Sequence, residues 1–298
     1  MEKNKKEQEC EIKLVRKQNS KKESVPVPKT VSIDIGEFSY LHYPLLEQTG
    51  IVKHCFTTRL GGVSKGIFES LNLSFNRGDE REAVEENFRR VAMALGTQYE
   101  NFVFTDQTHT TNVRKVGMED AGKGRNRERG YSDVDGLITN EPGLVLCTFY
   151  ADCVPLYFVD IKNRAIGLSH SGWRGTVGRM GQVTLDAMQR EFNTDPENVI
   201  CAIGPSICGD CYEISQDVAD EFIREFPERF QEFLQEKENG KYQLDLWRAN
   251  EIILLEAGIK QEHLSVTDVC TCCNSDILFS HRASHGKRGN LGAFLCLS

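Results

Sequence analysis

The chain has 298 residues, of which 39% are apolar and 27% charged, so it can bury a core, and this excludes an intrinsically disordered chain. Its net charge of −8 argues against a nucleic-acid sheath, and nowhere does it reach the roughly 18 apolar residues of a membrane span. Eleven cysteines, with no apolar leader behind Lys5 and Lys6, read as reduced thiols, metal ligands or reactive groups in a cytoplasmic protein, not as a disulfide scaffold.

Met1 to Thr30 carry nine Lys or Arg against five Glu and read as a solvated, poorly ordered basic extension, with a weak docking arm the alternative and ordered structure expected from about Val31. Asp79 and Glu82 form a capping-box pattern, and Val84, Phe88, Val91 and Leu95 then recur at helical spacing before Gly96. Strand-length apolar runs follow at Phe102–Phe104, Leu144–Tyr150, Leu156–Val159, Ala165–Leu168, Val199–Ile203 and Leu264–Val269. A second helix is expected after Thr176, with Val177, Met180, Met188 and Phe192 inward. A third, through Ile252, Leu255 and Ala257, is expected before Gly258. Interleaved α and β elements without a fixed-period repeat or Pro/Gly-rich divide suggest one catalytic unit over residues 31–298.

The chemistry concentrates between Asp133 and Thr176. A hairpin turning at Lys162 and Asn163 puts Cys153 opposite residue 172, within two positions of His170. His109, in Gln107-Thr108-His109-Thr110 ahead of a short alternating run, can supply a third ligand. Three protein donors would leave a fourth position on zinc for water or substrate. On spacing alone the simpler account keeps them separate: a loop histidine, a buried thiol and a satisfied core imidazole. Cys208-x-x-Cys211 and Cys270-x-x-Cys273 have the form of two zinc knuckles, but lie much farther apart than the roughly 15–20 residues of compact ribbons, so packed reduced thiols are expected. Arg174, in Gly172-Trp173-Arg174-Gly175-Thr176 before a helix, and Arg59, beside Gly61 and Gly62, are candidate phosphate contacts, with Arg282 a third. The charged segment Gly117–Gly130 is a solvated loop or a flap over the site.

The motifs TTRLGGVS at Thr57, SLNLSFNRGDE at Ser70, QTHT at Gln107, DVDGLIT at Asp133, ADCVPL at Ala151, SHSGWRGT at Ser169, AIGPSICGDCYE at Ala202 and FSHRASHGKRG at Phe279 run in one order. Together they resemble the laccase-domain family, once called multicopper polyphenol oxidases and later described as purine nucleoside phosphorylases with adenosine deaminase activity. The resemblance spans residues 31–298 and implies a single α+β domain of mixed sheets flanked by helices, similar to the cytotoxic necrotizing factor hydrolases. It also implies that His109, Cys153 and His170 ligate a metal, with zinc the expected ion and copper the alternative. His281 stands where the family more often has tyrosine, and it is assigned no role.

The implied reactions are phosphorolysis of adenosine, inosine, guanosine or methylthioadenosine, with Arg59 and Arg174 holding phosphate, and deamination of adenosine. In the second, metal-activated water would attack the purine C6 with Asp152 carrying the proton. Purine nucleoside and phosphate are thus the expected partners, without nucleic acid or membrane. Copper-dependent phenol oxidation is disfavoured by the lack of His-x-His pairs, and a Cys153/His170 hydrolase acting on cell-wall precursors conflicts with Cys153 as a ligand. A binding-only scaffold is disfavoured because all three ligands are present.

Overall fold

Two six-stranded sheets stack face to face because most of their strands are apolar on both sides. The computed structural model describes residues 12–17 and 25–298. The first sheet runs in the order Val27–Ile33, Gly36–His42, Val52–Thr57, Leu291–Leu297, Val145–Tyr150, Phe102–Phe104. The second runs Leu264–Val266, Val199–Ile203, Val154–Asp160, Ala165–Ser171, Gly136–Thr139, Val113–Lys115. Both mix antiparallel and parallel pairs, so the architecture is α+β with mixed sheets flanked by helices.

Side-chain alternation sorts the core into layers. Leu146, Tyr150, Ala293 and Leu295 of the first sheet meet Tyr157, Val159, Ile166 and Leu168 of the second between the sheets. The intervening Val145, Cys147, Phe294 and Cys296 face outward onto the helix Arg81–Leu95 through Val84, Phe88 and Val91. On the opposite outer face, Leu156, Phe158, Cys201 and Ile203 pack on the helices Met180–Phe192 and Leu246–Glu256. Runs buried on both faces show no polar alternation, which is why they appear in the sequence as continuous apolar stretches.

Several sequence expectations shift in detail. The first helix starts at Arg81 with Glu80 at its N-cap and no side-chain cap, because Asp79 accepts from the Glu80 and Asn72 nitrogens. The expected second helix is broken: Trp173–Val177 ends at Gly178, and Arg179 takes a left-handed φ of 55° before Met180–Phe192 begins. The first strand starts at Val27, not near Val31. Within the expected disordered extension, residues 12–17 are docked: the Lys17 amide donates to Asp268 O, and the Arg16 guanidinium pairs with the Asp268 carboxylate at 2.5 Å. The rest of that extension before Val25 lies outside the described residues.

His54 is a buried imidazole in the first sheet whose Nε2 accepts the Tyr43 amide proton at 2.9 Å. Burial, and the charge of nearby His42, hold its pKa down to about 3. The neutral form is therefore the folded form: this contribution is intact above the unfolded value near 6.5 and is lost as pH falls towards 3. Thermal unfolding between pH 7 and 4 should show a falling Tm, with a shallower slope in His54→Gln, which cannot take up the proton.

Candidate metal centre

The hairpin of Val154–Asp160 and Ala165–Ser171 pairs Val154 with Ser171 and Pro155 with His170, the register expected from a turn at Lys162 and Asn163. Cys153, one residue before its strand, thus lies beside the end of the strand that carries His170. His109 comes from the loop that crosses from Phe102–Phe104 in the first sheet to Val113–Lys115 in the second. The ligand atoms of the three residues lie within 4.8 Å of one another, with Cys153 Sγ 3.9 Å from His109 Nε2.

One buried carboxylate organises this trio. Asp135, fully buried just before Gly136–Thr139, accepts the backbone N–H groups of Thr108, His109 and Thr110 at 2.9–3.1 Å. It also accepts His170 Nδ1–H at 2.7 Å, which leaves Nε2 of that ring free for a metal. The three amides wrap the loop around the carboxylate and hold His109 at a φ of 68°, a conformation a non-glycine residue adopts at some cost. Burial opposes ionisation of Asp135, but His170 and the Thr108 and Thr110 contacts keep its carboxyl below the usual range.

Burial also opposes the Cys153 thiolate, yet the His170 charge and hydrogen bonds with both histidines outweigh it and bring the thiol down to about 6. Burial disfavours charge on His170 as well, but Cys153 and Asp135 raise it to about 9. Thiolate and imidazole together form a donor set that zinc accepts, and a divalent ion would replace the proton shared among them. Space is reserved too: a Cβ on Gly172 would sit 3.0 Å from His109 Cδ2 and 3.1 Å from Cys153 Sγ. The residues present fit a three-ligand metal site with an open position.

The three donors line a cavity of about 570 Å³ together with the aromatics Phe75, Phe104, Phe149 and Tyr150 and five arginines. The arginines are Arg77, Arg81, Arg125, Arg129 and Arg288. Arg129 is paired with Asp106 at 2.6 Å, and Arg125 stacks on Tyr99. Arg288 is buried, its Nη1 donates to Gly289 O and Asn290 Oδ1, its Nε has no partner among the described residues, and burial together with the Arg77 charge holds its pKa down to about 10. Gly124, Arg125 and Arg129 make the charged segment 117–130 one wall of this cavity.

The sequence did not single out Asp135, Arg77 or Arg288, and the expected phosphate contacts lie elsewhere. Arg59 does not line the cavity: its guanidinium donates to Glu69 O at 2.7 Å and Ser275 O at 3.1 Å and stacks on Phe279. Arg174 is likewise off the lining and stacks on Trp173. Arg282 is spent on the carbonyls of Cys211 and Glu213. Asp152, expected to carry a proton, has both carboxylate oxygens engaged, by Thr271 Oγ1–H and the Arg282 amide, each at 2.7 Å. With a φ of 91°, it fixes the chain immediately before Cys153. Cys208, Cys211, Cys270 and Cys273, expected as packed reduced thiols, converge within 4.8 Å.

The fold is that of the laccase-domain proteins. Residues 53–298 match the family model described as multi-copper polyphenol oxidoreductase laccase, and the chain belongs to that family. Among its relatives, "Purine nucleoside phosphorylase YlmD" of Geobacillus stearothermophilus is 38% identical over 240 residues, covering 80% of this chain and 88% of that one. "Purine nucleoside phosphorylase LACC1" of Mus musculus is 31% identical, covering 83% of this chain and 55% of that longer protein. The crystal structure of YlmD from Geobacillus stearothermophilus superposes with a TM-score of 0.81 at 35% identity, over 87% of this chain and 96% of that one. Among the described residues no helix is long and apolar enough to cross a membrane.

Because Asp135 orients one ligand and shapes the loop of another, Asp135→Asn should weaken zinc binding by about 10–100-fold with little change in far-UV circular dichroism. Competition with a fluorescent chelator measures this, and unchanged affinity would remove the organising role.

Proposed function

We propose that this chain is a zinc-dependent purine nucleoside phosphorylase that acts on adenosine, inosine, guanosine or methylthioadenosine and also deaminates adenosine. The observation that carries the reading is the shared cavity: a His109, Cys153 and His170 donor set, aromatic walls, and the guanidinium-bearing Arg77 and Arg288 all line one space. The names of the relatives point to the same reaction class.

In this reading Arg288, with Arg77 at the cavity rim, binds phosphate in place of the expected Arg59 and Arg174. Two neighbouring guanidiniums repel each other, and an anion between them relieves that repulsion. Phe75, Phe104 and Phe149 flank the purine and exclude water from its faces. Hydrogen phosphate so held attacks the ribose anomeric carbon through one oxygen as the bond to the purine nitrogen breaks, and the phosphate proton passes to the leaving base, giving ribose 1-phosphate and the free purine. Zinc held by His109, Cys153 and His170 supplies positive charge and Lewis acidity beside the reacting atoms. Asp135 keeps His170 in the tautomer that presents Nε2, and Asp152 acts as a positioning residue for Cys153.

Copper is the alternative suggested by the family's description, but one thiolate and two imidazoles form a single site. Among the described residues the other cluster of metal-ligating type is all thiol, so no imidazole-rich multinuclear centre accompanies it. Without metal, Cys153 would be a low-pKa thiol beside an imidazole, the pattern of a cysteine hydrolase, so alkylation with and without zinc separates the two.

The test is incubation of the purified protein with adenosine and phosphate, scoring adenine, ribose 1-phosphate and inosine separately. His170→Ala should lose metal at this site and all turnover; full activity without metal there would sink the reading. Arg288→Gln should raise KM for phosphate roughly thirtyfold, the equivalent of about 2 kcal/mol for one charged hydrogen bond, while KM for the nucleoside changes little.

A further inference from the structure

Far from His109 in the chain, four cysteines meet at one end of the second sheet. Val199–Ile203 and Leu264–Val266 are neighbouring parallel strands, so the segments that follow them leave the sheet at the same end. The first carries Cys208 and Cys211 around the turn Gly209–Cys211, and the second carries Cys270 and Cys273. All four sulfurs lie within 4.8 Å of one another, and Cys211 Sγ is 3.5 Å from Cys273 Sγ. Sulfurs around a tetrahedral zinc, at about 2.3 Å from the metal, are about 3.8 Å apart.

The local backbone has the form of paired knuckles. Cys270 Sγ accepts the amide protons of Cys208 at 3.3 Å and of Cys273 at 3.5 Å, contacts that stabilise a sulfur carrying negative charge. Cys208 and Cys270 are buried, while Cys211 and Cys273 are half-buried, so the cluster is closed on one side and reachable on the other. Four protein donors leave no open position, which makes the site structural. Lys17, from the docked segment 12–17, lies close by and pairs with Asp210 at 2.9 Å.

We infer that Cys208, Cys211, Cys270 and Cys273 bind one structural zinc ion, separate from the His109 centre, that ties these two loops together. Its consequence reaches the other site through Asp152. Thr271, inside the second knuckle, donates to Asp152 Oδ1, the Ile207 amide, just before the first, donates to Asp152 O at 3.0 Å, and Arg282 joins the Cys211 carbonyl to Asp152 Oδ2. The four-sulfur site therefore braces the residue before Cys153.

Zinc is measured by elemental analysis of protein purified under a thiol reductant without added metal. The expected result is two equivalents in the parent chain and one in His170→Ala, which keeps the four-sulfur ion. A Cys211→Ser, Cys273→Ser variant should keep the His109 ion alone and unfold at lower temperature. Cobalt-loaded His170→Ala should give the intense sulfur-to-metal charge-transfer bands of a four-thiolate tetrahedral ion. If the serine variant does not fold, His170→Ala and the parent chain still decide. The assignment is overturned if His170→Ala holds no zinc, if iron replaces zinc, if all four thiols of the folded protein react promptly with a thiol reagent, or if intact mass reveals disulfides among them. Loss of turnover in His170→Ala with retention of its one zinc separates this site from the catalytic one.

Discussion

A single buried carboxylate sets the geometry of the candidate active site. Asp135 lies at the start of a strand, dry and ionised, and its two oxygens take up three consecutive amides of one loop and the ring proton of His170. A carboxylate removed from water needs that many donors. The loop can satisfy it only by curling, and the curl forces His109 into its left-handed conformation. The requirement to solvate one charge thus places one candidate donor and orients another. The hairpin register supplies the third.

The sheets make this arrangement stiff. Cys153 and His170 flank the junction of two paired strands whose side chains are buried on both faces, while His109 rides on a loop anchored in one sheet at its start and in the other at its end. Gly172 keeps the approach clear, since any larger residue would press on the ligand sulfur. Stacked layers on both sides therefore transmit little freedom to the donor atoms, as a site requires when its ligands come from distant parts of the chain.

Much of this could be read in the residues. The hairpin register followed from turn placement alone, and the apolar runs located the strands. What the sequence hides is direction. Arg59 and Arg174 sit beside glycines in segments that look made for an anion, yet one is spent on backbone carbonyls and the other stacks on its neighbour, whereas Arg77 and Arg288, which also adjoin glycines, do reach the cavity, so glycine neighbours alone do not tell the two pairs apart. Asp152, expected to carry a proton in the implied deamination, has its oxygens already occupied, which the residue sequence does not reveal. The convergence of the four cysteines is not legible in their spacing, because separation along the chain says nothing of separation in space once two parallel strands align their exits.

The placement of the arginines also sets how a small anion meets this molecule. The chain carries eight more acidic than basic side chains, while five guanidiniums, one of them paired with Asp106, gather at the cavity. Like charge repels an anion and a cluster of guanidiniums attracts one, so the two act in opposite directions on its approach. Dissolved salt shortens the reach of both effects together, and the frequency of productive encounters is thereby tied to ionic strength as well as to the shape of the recess.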